Sequence, residues 1–97
     1  MSVYIRADST TRVEVGQVWS LGSINNRSEY YITSIHDGSA WSIILGQESK
    51  EHVFGDVFSN GLPRWHCPGW IIKTMTDKEI EDMEDRRRRA AHADKYL

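Results

Sequence analysis

The hydrophobic period changes near Thr76, and that change limits the fold more than any other feature of the chain. Upstream, short runs alternate apolar and polar side chains with the two-residue period of β-strands. Downstream, a single charge-segregated segment carries the spacing of a helix. The expectation is a mainly β fold: a small SH3-like barrel of five to six strands over residues 1–75, followed by a C-terminal helical arm over residues 76–97.

The strands follow from the alternation. Val3-Tyr4-Ile5-Arg6 reads as an edge strand. Arg12 to Trp19 places Val13 and Val15 on one face, and Gly16 provides a bulge through which Val18 rejoins them. After the loop Gly22 to Ser28, the run Glu29 to His36 is apolar on both faces and therefore central. Asp37-Gly38 supplies the positive φ angles of a two-residue type I′ turn, and Trp41, Ile43 and Leu45 alternate directly after it. Gly46 to Lys50 reads as a polar turn. His52 to Phe58 reads as a strand bent at Gly55, Arg64 to Pro68 as a proline-bracketed loop, and Gly69 to Lys73 as the last strand. Short strands at about 8–12-residue spacing are the pattern of a small barrel or sandwich, and glycines where strands must bend favour the barrel.

Thr76 with Glu79 three residues later forms a capping box that starts the helix. Acids fill its first half and Arg86 to Arg89 its second, an order that complements the helix dipole. Asp82–Arg86, Glu84–Arg88 and Asp85–Arg89 are i,i+4 pairs of about 0.2–0.5 kcal/mol each. The one plausible packing seam, Ile80, Met83, Arg87, Ala90 and Leu97, is thin, so the segment reads as an appendage able largely to hold itself together.

The chain has 97 residues, enough for one small core, and its ten aromatic residues, four of them Trp, raise the apolar area available to it. The lone Cys67 cannot form an internal disulfide, which suits a reducing compartment. The first ten residues contain no continuous apolar stretch, and no segment approaches the roughly 20 apolar residues of a membrane span. A cytoplasmic protein without a membrane partner is expected. The formal net charge is −2, with seven acids and six bases in residues 1–76 and the same numbers in residues 77–97. That balance argues against a polycationic nucleic-acid arm.

Four features invite a functional reading. The run Arg86-Arg87-Arg88-Arg89 suits an acidic protein surface or phosphate, although a solvated face neutralised by the preceding acids is the plainer account. Arg64-Trp65-His66 places an indole between two basic-capable side chains, suited either to anchoring a partner or to closing one end of the barrel. Tyr30 and Tyr31 cannot both enter one core, so one of them faces a groove or a second layer; packing under the helix is favoured. His36, His52, His66 and Cys67 lack the spacing of structural zinc ligands, and no nucleophile–base–orienter set emerges. No cofactor and no enzymatic activity are expected.

Gly16-Gln17-Val18-Trp19, Tyr31-Ile32-Thr33-Ser34-Ile35 and Gly69-Trp70-Ile71-Ile72 together resemble small single-domain proteins of phage and prophage genomes. In those proteins a Gly-x-Val-Trp strand opens an SH3-like fold and a Gly-Trp strand closes it. The resemblance spans roughly residues 13–72, leaves the arm unmatched and rests mostly on core positions. It implies a non-enzymatic accessory protein that binds, and inhibits or redirects, a host macromolecule in the host cytoplasm. The expected partner is a protein, with the Trp65 loop and the arm as contacts; a nucleic-acid binder using Arg27, Arg64, Lys73 and the four arginines is the rival. A monomer or a weak helix-mediated homodimer is expected.

Overall fold

The structure is a computed structural model that describes residues 4–21, 28–66 and 69–95. Residues 22–27 of the expected Gly22–Ser28 loop, Arg27 among them, and also Val3, Cys67, Pro68 and Leu97, lie outside the described residues. Six strands, β1 (Tyr4–Arg6), β2 (Gln17–Leu21), β3 (Glu29–His36), β4 (Ser39–Ile44), β5 (Gln47–Asp56) and β6 (Trp70–Thr74), precede one helix, α1 (Asp77–Lys95). They form one antiparallel sheet in the order β1-β6-β2-β3-β4-β5.

The fold is mainly β with one C-terminal helix, as expected, but the sheet does not close into a barrel. No ladder joins β1 to β5 among the described residues. Two local causes are visible. Among the described residues β1 offers three, and the outer side of β5 is met at its end by Pro63, which bridges Val57, and by Arg64, whose N–H donates to the Asp56 carbonyl at 3.0 Å.

The sheet buries both faces. Directly paired residues share a face, so Ile5, Ile72, Trp19, Tyr30 and Ile44 form one row across five strands. Trp19, Ile32, Ala40 and Ile72 on this face are buried with Ala7, Val13 and Val57, which the flanking loops fold over it. The Val13 N–H donates to the Gly61 carbonyl at 2.9 Å, tying those two loops together. The opposite face carries Val18, Tyr31 and Ile43, and α1 covers it with Met83 and Ile80.

Several expectations are met residue by residue. β3 spans the expected Glu29–His36 and is central. The following turn has Asp37 at φ 55° and Gly38 at φ 75°, the left-handed pair a type I′ turn requires. β5 bulges beside Gly55, because Ala40 pairs with Gly55 while Trp41 pairs with Val53, leaving Phe54 between them. The capping box is formed in both directions at 3.2 Å, Glu79 N–H to Thr76 Oγ1 and Thr76 N–H to Glu79 Oε1.

Other expectations are corrected. Val13, Val15 and Val18 do not share a face: Val13 is buried with Trp19, Val15 is 57% exposed, and Val18 lies under α1. Gly16 at φ 96° turns the chain there, so β2 begins only at Gln17, whose Oε1 accepts from the Glu14 N–H and from Trp19 Nε1. The segment from Gly46 to Lys50 is not a loop. Leu45-Gly46 makes a tight turn, with Gly46 at φ 94°, and β5 starts at Gln47. A second, wider bulge follows, since Ile44 pairs with Gln47 and Ile43 with Glu51.

The helix packs against the sheet, as favoured for one of the two tyrosines. It starts beside β6, where Lys73 lies 3.1 Å from Glu29 and 3.7 Å from Glu79. It passes Met83, 1% exposed, over Val18 and Ile43, and reaches β5 through Arg86 and Arg87. Among the described residues, no helix is long and apolar enough to cross a membrane.

Candidate functional site

On the face away from α1, four half-buried aromatic rings surround the fully buried Trp19. Phe54 is the hub, with its centroid 5.2 Å from Tyr30, 5.0 Å from Trp65 and 5.3 Å from Trp70. Trp19 meets Trp65 edge-on at 5.5 Å, and Tyr30 lies 6.1 Å from Trp70. Tilted and edge-to-face contacts at these separations are each worth about 0.5–1.5 kcal/mol beyond area burial. The patch is therefore stiff, and part of each outer ring remains open to solvent.

Three local devices place these rings. The bulge at Phe54 leaves that residue outside the β4–β5 ladder, where its ring joins the aromatic face. Gly55 leaves room for Trp65: a β-carbon at Gly55 would lie 2.6 Å from Trp65 Cε3 and 2.8 Å from Cζ3. The Val57–Pro63 bridge and the Arg64 N–H to Asp56 carbonyl bond anchor the loop that delivers the indole.

Arg64 and His66, both exposed, flank Trp65. The Arg64 guanidinium sits 4.3 Å above the centroid of Phe58, itself 45% exposed. Arg12 lays its side chain against Gly61, whose φ of 86° and lack of a side chain admit it. Arg64 and His66 thus adjoin Trp65 in the chain, with the Arg64 guanidinium turned onto Phe58.

Of the residues singled out in the sequence, Tyr30 and Trp65 are brought together through Phe54, with Arg64 and His66 on either side of Trp65 in the chain. Tyr30 packs in this cluster, and Tyr31 is the tyrosine that packs under the helix. The arginine run lies elsewhere and is divided. Arg86 donates to Glu48 Oε2 from Nε at 3.2 Å and from Nη2 at 3.1 Å, in place of the expected pair with Asp82. Arg87 lies 3.9 Å from Glu51. Arg88 and Arg89 lie 3.7 Å and 2.8 Å from Asp85 and are 76% and 79% exposed at their side chains. Phe54 and Trp70 were not anticipated as site residues. The visible signals were the Phe54-Gly55 pair and the Gly69-Trp70 step, both of which read as core.

Among the described residues Glu48 is the buried charged one, its side chain only 4% exposed. Burial pushes its carboxyl up, but the Gly46 N–H at 2.7 Å and the Arg86 guanidinium outweigh this and hold it below the ordinary glutamate value. Glu79 is also held down, first by the Thr76 N–H. An open cavity of about 230 Å³ lies on this helix side, lined by Glu29, Lys73, Glu79, Asp82 and Arg86 with two apolar residues. Among the described residues, no group of three or more His, Cys, Asp or Glu side chains is placed to hold a metal ion.

Compared with protein-family models, with curated proteins and with solved structures, the chain matches none.

Proposed function

We propose that this chain is a non-enzymatic binding module whose Tyr30–Phe54–Trp65–Trp70 face docks an acidic protein surface carrying an apolar anchor, and so modulates a host protein or complex. A scaffold derived from an SH3-like barrel, of the kind found in phage accessory proteins, belongs to the same proposal. It draws on the short, bulged strands and on the motifs around Trp19 and Trp70.

One observation carries the reading: four half-buried aromatic rings joined through Phe54, with exposed Arg64 and His66 on either side of Trp65 in the chain. Tyr, Trp and Arg dominate binding hot spots because a rigid ring contributes area at little entropic cost and guanidinium supplies directed hydrogen bonds. Arg64 and His66 select acidic character in the partner. A nucleic-acid reading is less favoured, because Arg86 and Arg87 are engaged with Glu48 and Glu51 on the other face and do not extend the aromatic patch into a cationic track.

The test is affinity capture from the native cell with the wild-type chain and with Arg64→Glu and Trp70→Ala, each checked for retained folding by circular dichroism. The expected result is one stoichiometric protein, bound by the wild type and lost with Arg64→Glu. A nucleic-acid ligand whose affinity falls log-linearly and steeply with salt, or a partner retained by both variants, would overturn the proposal.

A further inference from the structure

We propose that α1 is a latched cover which opens as a unit from the sheet, uncovering a second apolar face while the aromatic face stays folded. This inference is independent of what the aromatic face binds.

Its basis is how the two cores divide. The core around Trp19 is built from Ala7, Val13, Trp19, Ile32, Ala40, Val57 and Ile72, with no described residue of α1 among them, so its described members stay together when the helix leaves. The second core unites Val18, Ile43 and Met75 with Met83, and Tyr31 and Leu45 pack against it. Among the described helix residues, Met83 and Ile80 supply its apolar side. Most of what else crosses from helix to sheet is charge: Arg86 to Glu48 at 3.1 Å, Arg87 to Glu51 at 3.9 Å, and Glu79 to Lys73 at 3.7 Å.

A cover held by few apolar groups and several ion pairs has a low opening energy compared with a hydrogen-bonded sheet, and such elements open locally. Glu48 makes the opening tolerable for the sheet. When Arg86 withdraws, its carboxylate keeps the Gly46 N–H at 2.7 Å and gains water. The helix takes with it its own Thr76 cap and the Lys78–Asp82 and Asp85–Arg89 pairs, but a single helix detached from a sheet is marginal in water, so its amides exchange from the opened state. What opening displays is the surface of Val18, Tyr31, Ile43, Leu45 and Met75, a face of different chemistry from the aromatic one.

Native-state hydrogen exchange on the full chain tests this. Amides of α1 are expected to exchange at least about tenfold faster than that of Ile32 in β3, and Arg86→Gln to accelerate α1 by about a further tenfold while leaving Ile32 unchanged. Raising salt from about 0.1 M to about 1 M, where the Debye length shrinks from about 10 Å to about 3 Å, should move α1 in the same direction. If Arg86→Gln fails to fold, the exposed Arg87→Gln serves, with selective acceleration of α1 again the supporting result. Exchange of α1 and β3 as one unit, shifting equally or not at all in the folded variant, would overturn the proposal.

Discussion

Gly55 and Trp65 occupy one another's space: the indole edge lies where the side chain of any other residue at position 55 would begin, 2.6 Å from an ideal β-carbon. The bend in β5 and the placement of the Trp65 loop are therefore one feature. The backbone at Gly55 is not in the left-handed region, so the constraint is steric.

Gly55→Ala should accordingly displace Trp65 without straining the local backbone. Overpacking of this kind typically costs about 1–3 kcal/mol. The expected outcome is a lowered urea midpoint together with a changed near-ultraviolet circular dichroism signal from the Trp19–Phe54–Trp65 cluster. An unaltered aromatic signal would show that the ring is not confined by Gly55.

Gly38 provides the complementary case. Its φ is 75°, and a β-carbon there meets nothing within 4 Å, so Gly38→Ala adds backbone strain and no clash. A left-handed non-glycine residue costs about 1–2 kcal/mol. Chemical denaturation should report that loss with an unchanged aromatic spectrum, the opposite pattern to a steric substitution at position 55.

Met83 is the side chain through which the helix enters the second core, and it is 1% exposed. Met83→Ala should cost about 2–5 kcal/mol by cavity formation and lost transfer energy. Its effect should concentrate on α1 and on Val18 and Ile43, measurable as loss of protection there by hydrogen exchange. Uniform loss across β3 and β6 would place Met83 in a single cooperative core.

The Glu48 carboxyl titrates below its ordinary value in the folded chain, since the Gly46 amide and Arg86 outweigh the upward push of burial. The unfolded state then binds the proton first on acidification, so folding stability rises with pH across this window. The contribution is fully present above the ordinary glutamate value and is lost as pH falls through the depressed native one. Glu48→Gln should therefore be less stable than wild type near neutrality, with the gap narrowing as denaturation is repeated at increasingly acidic pH. A gap independent of pH would remove the carboxylate's charge from the account.

What the chain discloses in one dimension is what its neighbours in sequence decide. The β3–β4 hairpin was legible because Asp37-Gly38 dictates its own turn, and the helix start because Thr76 and Glu79 satisfy each other locally. The strand from Gln47 was missed because Glu48, Lys50 and Glu51 look like a loop; Glu48 is drawn inward by Arg86, 38 positions away. The same distant pairing helps hold the helix as a layer against the sheet, a contact that the sequence leaves open. Half of the candidate site, Tyr30 and Trp65, could be named from composition and loop context. Phe54 and Trp70 could not, because a bulge and a strand face decide where their rings point, and neither is written in residue type.

The two bulges of β5 have a consequence for how the molecule behaves in company. Only Glu51, His52 and Val53 lie in regular register with β4 between them, and Pro63, which has no amide proton to give, sits across Val57 at the far end. A neighbouring chain seeking to extend the sheet finds three residues of straight border, two of them ionisable, before the backbone turns aside. Growth into fibrils along that border is interrupted at its first step, and this protection resides in the same irregularity that aims Phe54 at the aromatic face.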